Sequence, residues 1–183
     1  MERARESKRD EARMAAVEEH VRQENRHDLD GLLSTFGGSA VYEDRPWGER
    51  HDGLAAVREY YGGLFRAAPD LHVEIKERHV SGEAIVLEVV ISGTHLGAWR
   101  GLPPTGRRLE FELCGIFTFD ENDRMAGERI YYDRATVLRQ LGVLSEPTSL
   151  GGRLGMLLLH PATVVGAGLR SVFRRSPAPA RRS

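Results

Sequence analysis

The chain has 183 residues, 40% apolar and 29% charged, a balance that suits one soluble globular core with an appended segment and leaves little room for two full domains. Twenty-six basic residues against 27 acidic ones leave a formal charge of -1, so there is no overall basic field to draw in a nucleic acid backbone. A single cysteine, Cys114, excludes an internal disulfide and a cysteine-built zinc site and fits a reducing compartment.

The opening run MERARESKRDEAR is densely charged and lacks the apolar stretch of a secretory signal, and the apolar runs at 156–159 and 164–169 fall far short of the roughly 20 residues that cross a bilayer. A cytoplasmic protein is expected, with residues 1–11 as a charged extension. Met14, Val17 and Val21 recur at helical spacing, and Leu29, Leu32, Leu33 and Phe36 repeat the pattern until Gly37-Gly38 ends it. Ala40-Val41-Tyr42 reads as a short strand. Asp52 then predicts the N-cap of a third helix carrying Leu54, Val57, Tyr61, Leu64 and Phe65, stopped by Pro69-Asp70.

From Leu71 the period shortens to two. Residues 72–80 and 84–91 and the alternating Leu109, Phe111, Leu113, Phe117 and Phe119 predict three long strands, with a fourth over 125–132. Ser81-Gly82 and Asp120-Glu121-Asn122-Asp123 are short connections, so neighbouring strands are expected to run antiparallel. Asp133 as N-cap and Gly142 as C′ residue bound a last helix. Helices followed by antiparallel strands make an α+β order, with helices packed on one face of a curved sheet and a pocket in its mouth.

Residues 145–183 hold six arginines and one acidic residue, Glu146. After Pro161, Val164, Val165, Gly168, Leu169, Val172 and Phe173 share one helical face, which predicts a surface helix, and the last eight residues have the composition of a disordered end. This extension admits docking on its own domain or on a partner subunit, weak adhesion to an anionic membrane surface through its arginines, or disorder.

Two stretches carry candidate chemistry. In 93–106, glycines and prolines account for the loop, but His95 and Trp99 stand at a strand end where an imidazole and an indole N–H can reach a ligand. In 128–133, strand alternation puts Arg129, Tyr131 and Asp133 on one face and Glu128, Ile130 and Tyr132 on the other. Asp133 is either a general base with a proton affinity raised by an apolar pocket, or simply the helix cap. Tyr42 and Trp47, flanking Glu43-Asp44, are candidates for the pocket mouth. The remaining histidines, His20 among them, are scattered, with no spacing that suggests a metal site.

The run His95-x-Gly97, Gly101-x-Pro103-Pro104-Thr105-Gly106, Phe117-x-Phe119 and Tyr132-Asp133, followed by Leu138-x-Gln140-Leu141-Gly142, resembles the SnoaL-like polyketide cyclase (ester cyclase) family of the nuclear transport factor 2-like superfamily. The likeness extends back through the helical N-terminal third and covers about residues 12–143, within an expected domain of 12–144. It implies a cone-shaped α+β barrel, usually a homodimer, that performs aldol-type acid/base chemistry on a small hydrophobic carbonyl or polyketide-like molecule without cofactor or metal. The family's acid/base aspartate is matched by Asp133. The motif histidine is matched by His95, with the supporting role of hydrogen bonding a carbonyl or enolate oxygen. Trp99, Phe111, Phe117 and Tyr131 become candidates for the pocket wall, with Arg129 beside them. The superfamily also holds isomerases, hydrolases and non-catalytic binders of hydrophobic ligands, so these readings stay open beside cyclisation.

Overall fold

A computed structural model describes residues 2–146, 148–159, 161–162, 164–166 and 170. The chain separates into two compact units, one ending at Leu141 and the other starting at Gly142. In the first unit α1 (Glu2–Asn25) and α2 (Leu29–Ser34) lead into β1 (Phe36–Asp44), a 3-10 turn (Arg45–Trp47), β2 (Glu49–Asp52) and α3 (Leu54–Ala67). Four long strands follow, β3 (His72–Ser81), β4 (Ala84–Thr94), β5 (Arg108–Phe119) and β6 (Met125–Tyr132), and α4 (Arg134–Gln140) ends the unit.

The six strands form one sheet in the order β2-β1-β6-β5-β4-β3. The β3–β4, β4–β5 and β5–β6 pairs are antiparallel, as their short connections require. β1 pairs with β6 in parallel, joining the first half of the unit to its last strand. Register shifts lie at Phe36/Val41, Ile75/Glu77 and Thr118/Phe119, and such irregularities bend a strand and increase its twist, curving the sheet around the helices.

Two sequence expectations are corrected. The second helix stops at Ser34, and Phe36-Gly37-Gly38 opens β1, because the Thr35 N–H caps the helix on Leu32 and Arg124 donates to the Ser34 and Phe36 carbonyls, holding the chain beside β6. Asp52 does not cap α3: it ends β2, its carboxylate faces Arg50, and Gly53 at φ 85 makes the turn into the helix. α1 runs unbroken from Glu2 through the charged segment.

α1 is tied to the sheet at its middle and at its C-terminal end. The buried Arg13 guanidinium bonds Asp123 at 2.6 Å and Glu83 at 2.9 Å, one residue from each of the two hairpin turns. Further along, the Asn25 side-chain amide exchanges two hydrogen bonds with the Val73 backbone on edge strand β3, at 2.7 and 2.9 Å. This geometry turns Val17, His20, Val21 and Glu24 inward, one stripe at i, i+3, i+4, i+7 spacing. Val17 packs with Leu32, Val57, Ile85, Leu87 and Met125, all essentially inaccessible, and each such aliphatic side chain contributes about 1.5–3 kcal/mol on burial.

In the second unit Ser149 caps α5 (Leu150–Leu159) by accepting the Gly152 N–H at 3.0 Å. Sequence reasoning missed this helix, because Gly151, Gly152 and Gly155 lower its intrinsic propensity. Residues 161, 162 and 164–166 are also helical. Gly168, Leu169, Val172, Phe173 and the expected disordered end lie outside the described residues.

Candidate functional site

The period of two on β5 sends Leu109, Phe111, Leu113, Gly115 and Phe117 to one side, where with α1 and α3 they enclose an apolar cavity of about 110 Å³. Directly opposed residues of an antiparallel pair share a face. The register Leu113↔Tyr132, Gly115↔Ile130 and Phe117↔Glu128 therefore brings Tyr132, Ile130 and Glu128 into the cavity wall. The opposite set, Arg129 and Tyr131, points away: Tyr131 is exposed, and Arg129 pairs with Glu43 at 2.6 Å. The alternation in 128–133 was legible, but the face chosen from sequence for Arg129 and Tyr131 was the outer one.

Asp133 is on the surface and does not line the cavity. One carboxylate oxygen accepts the Ala135 N–H at 2.8 Å, and the other accepts from the Thr136 hydroxyl at 2.6 Å and from Arg139 at 3.3 Å. The Thr136 hydroxyl, then the Ala135 N–H, hold the Asp133 carboxyl below its ordinary range. A solvated, hydrogen-bonded carboxylate is a poor base for carbon acids. Of the two sequence readings for Asp133, the geometry matches the helix cap and leaves the base role without a pocket.

His95 follows β4 directly and lines the cavity, only 3% exposed. Its Nδ1 accepts the Thr105 N–H at 3.2 Å and lies 3.1 Å from the Thr105 hydroxyl. With Nδ1 an acceptor, a neutral ring carries its proton on Nε2, and that atom is buried with no partner. Burial lowers the proton affinity of His95, which favours this neutral N–H donor. Gly97 of the same motif sits where a Cβ would collide with the Arg66 carbonyl, because the Leu96 and Gly97 N–H groups both close onto Ala67 O at the end of α3, at 2.8 and 3.0 Å. The glycine thus seats the His95 loop on α3.

At another part of the wall are two carboxyls that sequence reasoning missed. Glu24 and Glu128 both line the cavity and are nearly inaccessible. Tyr61 donates to Glu128 Oε2 at 2.6 Å, and His20 Nε2 lies 3.4 Å from the same oxygen. His20, fully buried, also approaches the Tyr61 hydroxyl at 3.2 Å and Thr35 Oγ1 at 2.8 Å. Burial, and then the charge of Glu128, push the Glu24 carboxyl well above the ordinary carboxylate range. The signal was present: His20 and Glu24 are one turn apart on the Val17/Val21 stripe, and Glu128 alternates with Ile130 and Tyr132.

A third polar group adjoins the wall. Tyr60 and Tyr132, both lining residues, donate to Asp44 Oδ2 at 3.3 and 3.4 Å, and Arg100 pairs with that oxygen at 2.7 Å. Asp44 is fully buried, which raises its proton affinity, and Arg100 opposes that rise. The Arg100 guanidinium also pairs with Glu49 and lies 4.5 Å from the Trp47 ring centre and 5.0 Å from that of Trp99. Of the aromatic candidates, Tyr42, Trp99, Phe111 and Phe117 line the cavity. Trp47 acts from behind the wall, donating its indole N–H to the Tyr132 hydroxyl at 2.8 Å. Among the described residues no three His, Cys, Asp or Glu side chains cluster as a metal site would need, and no helix is long and apolar enough to cross a membrane.

Solved structures share this arrangement of helices and sheet. AclR from Streptomyces galilaeus superposes with a TM-score of 0.65 at 24% identity, covering 74% of this chain and 99% of that one. IdmH from Streptomyces antibioticus gives 0.60 at 22% identity, over 72% and 99% of the two chains. SalBIII, an epoxide hydrolase/cyclase-like enzyme with a role in pyran ring formation in salinomycin, gives 0.59 at 23% identity, over 69% and 95%. These likenesses establish the nuclear transport factor 2-like fold. A profile of the SnoaL-like polyketide cyclases matches residues 13–141, from the helix that supplies His20 and Glu24 to the end of the first compact unit. By that match the chain belongs to the SnoaL-like polyketide cyclase family.

Proposed function

We propose that this protein is a cofactor-independent acid/base enzyme of the polyketide cyclase type, acting on a small hydrophobic carbonyl compound held in the apolar cavity. The observation that carries this reading is the buried, unpartnered His95 Nε2 in the same wall as two desolvated carboxyls. Abstraction of a proton α to a carbonyl needs a donor for the developing enolate oxygen and a base of matched proton affinity. His95 supplies the donor. Glu128 takes the α-proton, and Glu24, which burial and then the charge of Glu128 hold in its protonated form, returns one to the new alkoxide. The aromatic wall keeps water out and folds the substrate so that the carbon nucleophile faces the second carbonyl. Asp133 takes no part in the chemistry. We further place the enzyme in the cytoplasm as a homodimer, a state that light scattering of the purified chain tests directly.

The test does not require the natural substrate. Hydrophobic 1,3-dicarbonyl compounds are incubated with the protein in D₂O, and exchange at the central carbon is followed by NMR. Wild type and Asp133→Asn are expected to accelerate exchange, whereas His95→Ala and Glu128→Gln each lose about 100-fold or more. Binding of the same compounds without exchange in wild type makes the protein a carrier rather than an enzyme. Exchange that survives both substitutions overturns the assignment of residues.

A further inference from the structure

The hydrogens around His20 can be followed from donor to acceptor, and they assign the ring a charge. The Thr35 hydroxyl donates its single proton to the Leu32 carbonyl at 2.6 Å. Towards His20 Nδ1, 2.8 Å away, the Thr35 oxygen is therefore left as an acceptor, so Nδ1 carries a proton. On the other side of the ring Nε2 faces two oxygens, the Tyr61 hydroxyl at 3.2 Å and Glu128 Oε2 at 3.4 Å. The Tyr61 proton goes to Glu128, at a distance of 2.6 Å that belongs to a hydroxyl on an ionised carboxylate. A bare Nε2 would aim its lone pair at two oxygens with no proton to give it. A second ring proton, on Nε2, supplies every contact with a donor and an acceptor.

Burial calls for the same state. Glu128 is 7% exposed and His20 is inaccessible, and a charge taken out of water persists only beside its opposite. Among the described residues, His20 is the basic group in ion-pair contact with Glu128. The other ionisable side chains around the two are Glu24, one turn along α1, Tyr61 of α3 and Tyr42 of β1; burial first, and then the charges around them, Glu128 included, keep the protons on all three. Phe36 and Phe117, which stand edge-on to the ring with centroids at 5.2 and 6.0 Å, are apolar. The contacts from Tyr61 and His20 both end on Oε2 of Glu128, which leaves Oε1 as the oxygen that meets a ligand. We infer that His20 is a positioning residue, an imidazolium locked by Thr35 that holds Glu128 ionised and turns Oε1 to the cavity. This rests on the reading of Glu128 as the base. The α-proton then passes to Oε1, the C–H electron pair stays on the substrate as the enolate, and both protons of the His20 ring remain where they are.

Nitrogen NMR of the free protein carrying isotope-labelled histidine tests the charge without any substrate. Two protonated ring nitrogens are expected for His20 at pH 7. In Glu128→Gln the counter-charge is gone, and Nε2 is expected to lose its proton while Nδ1 keeps it. Thr35→Val is expected to shift the Nδ1 resonance, and Thr35→Ser, which keeps the hydroxyl, to restore it. A wild-type ring with one proton, or with none on Nδ1, overturns the inference. His20→Gln then tests the consequence in the exchange assay, since it can give Oε2 an N–H but no charge. Loss of the cation raises the proton affinity of Glu128, so exchange is expected to fall about tenfold or more on the acid side of the rate profile and to approach wild type as pH rises. A loss of the same size at every pH, as a purely structural role predicts, overturns the inference. Wild-type protein that catalyses no exchange removes Glu128 as the base, and the spectrum still decides the charge on His20.

Discussion

Replacing Glu24 by glutamine tests the desolvated carboxyl without the need for a substrate. Below its ordinary midpoint of about 4.5, Glu24 is protonated in both the folded and the unfolded chain. Above that pH the unfolded chain releases the proton, while the folded chain keeps it until its own raised midpoint. The stability that Glu24 contributes is therefore complete in acid and is lost as pH rises, at about 1.4 kcal/mol per pH unit between the two midpoints. Glu24→Gln keeps the size and hydrogen-bonding capacity of the side chain but cannot ionise, so it escapes this loss. Its Tm is expected to gain on wild type as pH rises towards the raised midpoint, by at most about 4 °C per pH unit. Circular dichroism melts of both proteins across that range give the difference directly. A Tm difference that does not change with pH, or that moves against the variant, refutes the argument that burial holds the proton on Glu24.

Three further substitutions separate the roles of other residues. Asp133→Ala removes the acceptor for the Ala135 N–H and is expected to lower Tm by a few degrees, while Asp133→Asn restores it; both keep activity in the exchange assay. Gly97→Ala forces the His95 loop off the Arg66 carbonyl and is expected to cost about 1–3 kcal/mol in urea unfolding and to weaken ligand binding, whereas the same change at the open Gly38 costs no steric clash. Arg100→Met leaves the buried Asp44 carboxylate without its cation and is expected to destabilise the chain by about 3 kcal/mol at pH 7. Because Arg100 holds down the proton affinity of Asp44, that penalty shrinks as pH falls and Asp44 takes up a proton; a penalty that grows in acid contradicts the pairing.

Periodicity made the long elements legible. Strands β3 to β6 and helices α1, α3 and α4 follow from hydrophobic spacing and turn chemistry that act over a few residues. What the sequence hid were relations set across the chain. The parallel pairing of β1 with β6 has no local signature, so Phe36 and its glycines read as a helix end rather than a strand. The inward face of β6 is decided by its register with β5, not by its own residues, and for that reason Arg129, Tyr131 and Asp133 were favoured over Glu128. His95 was found because a histidine and a tryptophan were out of place in a loop of glycines and prolines. Glu24 and His20 escaped because a charged residue on a charged helix reads as solvated until the helix is docked.

The parallel strand pair has a consequence for how this protein is made. Glu24 and Glu128 belong to opposite ends of the first unit, and the strand that carries Glu128 is the last to leave the ribosome. A partly synthesised chain has therefore not yet brought the second carboxyl against the first, and the electrostatic burden of the finished chamber falls on the final docking of β6. Such long-range closure slows folding, and no shorter version cut before residue 128 contains both carboxyls.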